Sequence, residues 1–120
     1  MAMSDVWNPA QIEEKIREVS NRIAGSVSEC NNTYKVFLES DHRYDVAFAQ
    51  AYLNTDGPAH AKRYAAELAT QEQRHNRDVA DAAYRYAEKR ARALDNELRA
   101  LQSIGASIRQ AYAVAGRGEH

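Results

Sequence analysis

The chain has 120 residues, 44% of them hydrophobic and 28% charged, and carries a net charge of −1. That length fits one domain, and the near-neutral balance excludes a global electrostatic bias toward nucleic acid or anionic membrane. Five glycines and two prolines are too few for a disordered chain, and a single cysteine, Cys30, excludes an internal disulfide.

Residues 1–7 read as a flexible start. At Asn8-Pro9 a helix begins: Asn8 can cap the orphan N–H groups, proline loses nothing at the first helical position, and Gln11 stands where a capping box places its second member. Ile12, Ile16, Val19 and Ile23 then share one helical face, which predicts a short N-terminal helix over 9–24. Gly25-Ser26 weakens the helix there and can bend or break it. The stripe resumes as Val27, Cys30, Tyr34, Phe37, Asp41, Tyr44, Phe48 and Ala51, alternating three and four, so a first long helix is expected over 26–54 with Asp41 as one polar intruder. Thr55-Asp56-Gly57-Pro58 ends it, with glycine for the left-handed position and proline to start the next helix.

A second long helix is expected over 58–114, with 115–120 as a frayed tail. Its seam reads Ala61, Ala65, Leu68, Glu72, His75, Val79, Ala83, Ala87, Ala91, Leu94, Leu98, Leu101, Gly105, Ile108 and Tyr112. His75 near Glu72 suggests a polar layer that fixes register. The expected fold is all-α: one domain, a long antiparallel, coiled-coil-like helical hairpin with a short N-terminal helix. Mean hydropathy is −0.70 and many apolar residues are alanine, so one copy fills little core, and a homo-oligomer is expected. The Leu-rich end of the second helix extends past what the first must cover. Leu94, Leu98, Leu101 and Ile108 are therefore the expected subunit interface.

The chemistry-bearing residues do not assemble into a catalytic pattern. There is no HExxH or CxxC, and His42, His60, His75 and His120 are scattered along the chain, so neither a metal nor a cofactor is expected. Glu13, Glu14 and Glu18 alternate with Lys15 and Arg17, as on a solvated face. No phosphate loop or nucleophile-base pattern occurs, and no enzyme is expected. No apolar run approaches the ~20 residues that cross a bilayer, and Met1-Ala2-Met3-Ser4-Asp5 lacks a signal-peptide pattern. A cytoplasmic protein without a membrane partner is expected.

Charge is uneven. Residues 1–57 hold five Lys/Arg against nine Asp/Glu, while 58–120 hold eleven against eight, which leaves the second half as the anion-binding side. Arg85, Lys89, Arg92 and Arg99 share a face, extended by Arg74 and Arg77, as a ridge for phosphates. Asp81–Arg85, Glu88–Arg92 and Asp95–Arg99 are also i,i+4 pairs in the favourable orientation, so a salt-bridge ladder accounts for the same residues. Lys62 and Arg63, set between Tyr52 and Tyr64 at the turn, suit a base stacked beside its phosphate, or an ordinary helix start. Seven tyrosines against two phenylalanines favour partly wet interfaces.

The stretch Arg43-Tyr44-Asp45-Val46-Ala47-Phe48-Ala49-Gln50-Ala51-Tyr52-Leu53 runs into a glycine-containing turn, followed by Lys62-Arg63-Tyr64-Ala65-Ala66-Glu67 and later by Ala93-Leu94-Asp95-Asn96-Glu97-Leu98-Arg99-Ala100-Leu101 through Arg109. This order, over roughly residues 30–112, resembles the UvsY-type recombination mediators of bacteriophages. The resemblance implies an oligomeric ring or bundle that binds single-stranded DNA and helps load a recombinase onto DNA coated by single-strand-binding protein, in the host cytoplasm if phage-encoded. In that family basic residues just before the turn are implicated in DNA binding. Here Phe48-Ala49-Gln50-Ala51-Tyr52 stands there, and only Lys62 and Arg63, after the turn, can substitute. Apart from the resemblance, the residues also allow a protein-interaction module, an adaptor or an inhibitor of a host defence protein, using the acidic first half.

Overall fold

The computed structural model describes residues 7–118, which form three helices: α1 (Pro9–Leu53), α2 (Ala59–Ala69) and α3 (Gln71–Gly118). The architecture is the expected all-α helical hairpin. Apart from Trp7, the expected flexible start lies outside the described residues, as do Glu119 and His120 of the expected tail.

The start of α1 follows the capping logic. The Gln11 N–H donates to Asn8 Oδ1 at 2.9 Å and the Asn8 N–H donates to Gln11 Oε1 at 3.0 Å, a reciprocal box built from two amides. The helix does not break at Gly25-Ser26; the short helix over 9–24 and the long helix over 26–54 are one element. Gly25 is exposed, so its cost is limited to a helix propensity of about 1 kcal/mol. Ser26 is buried and its hydroxyl donates to the Ile23 carbonyl at 2.7 Å, which satisfies the polar group inside the helix.

The turn forms as expected. α1 ends at Leu53, Gly57 has a φ of +117°, and Pro58 precedes the first residue of α2. A second interruption, at Thr70, divides the expected 58–114 helix into two. Thr70 has φ −116° and ψ 22°, is buried, and both its N–H and its hydroxyl donate to the Ala66 carbonyl, at 3.1 and 2.6 Å. A buried threonine that competes for the backbone acceptor of its own preceding turn bends a helix. At the other end α3 continues to Gly118, through residues 115–118 of the expected tail.

The chain divides into two compact units. One joins residues up to Val27 with those from Lys89 onward; the other is Ser28–Glu88. In the first, buried Ile12, Val19 and Leu101 form the core, with Trp7, Ile16, Ile23, Leu94, Leu98 and Ile108 packed against it. The Leu94–Ile108 face thus packs against this chain's own α1. α1 begins early enough to reach the face expected as a subunit interface, burying Leu101 and leaving Leu94, Leu98 and Ile108 half-buried. In the second unit the buried apolar residues are Ala66, Ala80 and Ala87, and Tyr34 meets Tyr84 at 5.0 Å between ring centroids.

The expected register holds through Cys30, Phe37, Asp41, Tyr44, Phe48 and Ala51 of α1, which turn inward, and fails at Val27 and Tyr34 and between Leu68 and Ala83. Val27 and Tyr34 are 61% and 43% exposed, and Leu68 and Val79 are 70% and 55% exposed; Glu72, His75 and Ala83 also face outward. Each step of four residues turns a helix about 40° past a full circle, so a line drawn through Val79, Ala83, Ala87 and Ala91 drifts off the contact stripe. The inward positions alternate three and four through Thr70, Gln73, Arg77, Ala80, Tyr84 and Ala87. The polar layer consists of Asp41 and Arg77, 3.9 Å apart, rather than His75.

Candidate nucleic-acid interface

The turn end of the Ser28–Glu88 unit brings cations onto aromatic rings. Tyr44, Phe48 and Tyr52 recur every four residues of α1, so their rings form a file, with centroids 6.1 Å apart for the first pair and 6.5 Å for the second. Each end of the file carries a cation. The Arg77 guanidinium lies 4.6 Å from the Tyr44 ring centre, and the Lys62 ammonium lies 4.9 Å from that of Tyr52. One residue further on, the Arg63 guanidinium covers the Tyr64 ring at 5.1 Å and reaches Glu67 at 3.8 Å.

Chemically, this is a set of rings in which Tyr44, Tyr52 and Tyr64 each hold a cation over one face. Lys62 is half-buried and Arg63 exposed, and Tyr64 is 54% exposed. A planar base can stack on the ring face opposite the cation, or take its place as the cation swings out to meet the phosphate. Sequence reasoning found Lys62, Arg63, Tyr52 and Tyr64 but not the file that connects them to Arg77. The four-residue spacing of Tyr44, Phe48 and Tyr52 was the available signal.

The ridge residues are placed differently. Arg85 belongs to the Ser28–Glu88 unit, and its Nε lies 3.1 Å from both carboxylate oxygens of Asp81, the first rung of the expected ladder. Glu88 instead accepts a hydrogen bond from the Tyr84 hydroxyl at 3.0 Å. That carboxylate, then burial, raises the Tyr84 pKa above its ordinary value of 10.0. Lys89, Arg92 and Arg99 lie in the other unit and are exposed. His42, His60 and His75 are exposed as well. Among the described residues no group of three or more His, Cys, Asp or Glu could hold a metal ion, and no helix is long and apolar enough to cross a membrane.

No protein-family model, curated protein or solved structure matches this chain.

Proposed function

We propose that this protein works by binding rather than by catalysis, and that it binds single-stranded DNA at the turn end of the hairpin. The observation that carries the reading is the pairing of Lys62 with Tyr52 and of Arg63 with Tyr64 beside the Gly57 turn. Backbone charge and stacking carry little base information, so recognition is sequence-independent. Exposed Arg85, Lys89, Arg92 and Arg99 supply further phosphate contacts. One chain offers few of these, and a homo-oligomer multiplies them. The resemblance to UvsY-type mediators makes a recombinase or a single-strand-binding protein the natural partner, in the cytoplasm.

Fluorescence polarisation of a labelled oligonucleotide across a salt series tests this. Binding weakens as salt rises, with a log–log slope of about −0.7 for each phosphate neutralised on a single strand. Lys62→Ala with Arg63→Ala removes two contacts and makes the slope shallower by about 1.4. No binding by the native protein at low salt discards the reading.

A second reading, a protein-interaction module, is favoured by a separate observation: large apolar side chains including Val36, Val46, Leu53, Val79 and Tyr86 stand exposed. In that case the oligonucleotide does not bind and the apolar faces take a protein partner.

A further inference from the structure

On one side of the Ser28–Glu88 unit α1 carries a second stripe besides the one that packs on α3. It runs Asn32, Val36, Glu39, Arg43, Val46 and Gln50, in alternating steps of four and three, which is the spacing of a coiled-coil seam. All six are exposed, and Val36 and Val46 are 52% and 42% exposed. Two hollows open along it. One, of about 170 Å³, lies between Asn32, Val36, Ala80 and Ala83. The other, of about 380 Å³, is lined by Arg43, Val46, Gln50 and Gln73. The Gln73 side-chain oxygen is buried there without a hydrogen-bond partner, and a buried acceptor left unmatched is destabilising.

The stripe is chemically symmetric about position 41. Val36 and Val46 lie equally far from it, as do Glu39 and Arg43, and Asn32 and Gln50. When two copies of a helix pack antiparallel about a two-fold axis, each residue meets the one at the mirrored position of its partner. An axis at 41 therefore sets valine on valine, glutamate on arginine and amide on amide, each twice. Among the described residues neither Glu39 nor Arg43 has an ion-pair partner. A foreign helix has no reason to match this palindrome.

We propose that the occupant of this face is a second copy of the chain, with α1 against α1 antiparallel about position 41. This rests on the self-association included in the function above and assigns it a surface and a register. The valines close over the alanine-lined hollow, and two Glu39–Arg43 pairs fix the register. Asn32 of the partner subunit comes level with Gln50, where its amide can supply the hydrogen that Gln73 lacks. The turn lies at the end of α1, so a two-fold at position 41 sends the two Lys62–Arg63 clusters to opposite ends of the pair.

Charge reversal tests the register. Glu39→Arg sets arginine against arginine at both symmetric contacts, and Arg43→Glu sets glutamate against glutamate. Like charges brought together at an interface cost enough to weaken association about tenfold or more. The double variant Glu39→Arg/Arg43→Glu restores both pairs and returns the dissociation constant to within a few-fold of native. Both positions are exposed, so circular dichroism of every variant stays helical. Sedimentation equilibrium reads the result. A native protein that stays monomeric overturns the association and this interface together. An oligomer that neither single reversal weakens, or that the double reversal fails to restore, overturns this interface and leaves association elsewhere standing.

Discussion

At the scale of single residues, Tyr84 is a group whose ionisation the fold perturbs. Its hydroxyl donates to Glu88 at 3.0 Å, and the adjacent carboxylate, followed by burial, holds its pKa above 10.0. In the unfolded chain tyrosine ionises near 10. The folded state therefore keeps a proton that the unfolded state releases, and stability falls as pH rises above that value. The contribution is complete below the unfolded pKa and is lost as pH climbs through the folded one. Tyr84→Phe has no such proton. Urea unfolding at pH values from neutral to strongly alkaline should show the native protein losing stability more steeply than the variant. Parallel curves would mean that the pair does not perturb Tyr84.

At the scale of helices, two glycines in the same kind of element predict opposite outcomes. Nothing lies within 4 Å of a Cβ built on Gly25, inside α1. Gly25→Ala therefore gains helix propensity at no packing cost and stabilises by about 0.5–1 kcal/mol. A Cβ on Gly105, inside α3, falls 2.9 Å from Ile12 Cγ2. Ile12 is fully buried, and a β-branched side chain has little freedom to turn aside. Overpacking of that kind costs about 1–3 kcal/mol, enough to cancel or exceed the propensity gain. Thermal melts should rise for the first variant and fall, or at best stay level, for the second; a clear rise for Gly105→Ala would show that the helices yield. The same contrast explains what the sequence made legible. Ile12, Val19, Leu98 and Leu101 are large and apolar, so their spacing revealed the contact stripe directly. In the Ser28–Glu88 unit the inward positions include Thr33, Gln73 and Arg77, while Val36, Val46 and Val79 face out. Hydrophobic periodicity follows the apolar residues; it found the inward face of α1 through Cys30, Phe37, Tyr44 and Phe48, and followed the wrong face only between Leu68 and Ala83. The turn was legible because glycine at positive φ and proline after it are local requirements. The Thr70 interruption was not, because it depends on where the hydroxyl of a buried threonine goes. At the candidate site, Lys62 and Arg63 were legible as charges beside tyrosines, but the end-to-end file through Phe48 to Arg77 needed the packed helices.

At the scale of the molecule, the two units have unequal cores. Residues up to Val27 with those from Lys89 onward bury Ile12, Val19 and Leu101, whereas Ser28–Glu88 buries alanines and Thr70. Burying a large aliphatic side chain contributes roughly 1.5–3 kcal/mol, and an alanine offers far less area. The alanine-cored unit carries exposed Val36, Val46, Leu53, Val79 and Tyr86, so the surface that could deepen its core is present but uncovered in one chain. If a second copy covers it, folding and association are linked, and stability depends on concentration. A state that binds only when folded gains about 2.7 kcal/mol at a hundred times its dissociation constant. For a chain of this size that is a rise in Tm on the order of 10 °C. Melts followed by circular dichroism over a hundredfold range of protein concentration should shift upward accordingly. The Glu39→Arg variant should melt well below native at high concentration and come within a degree or two of it at low concentration, where only the like-charged i,i+4 pair with Arg43 on its own helix remains, at about 0.2–0.5 kcal/mol. A native Tm that does not move with concentration would leave the valines of this face to some other partner and return the alanine-cored unit to what α1, α2 and α3 supply within one chain.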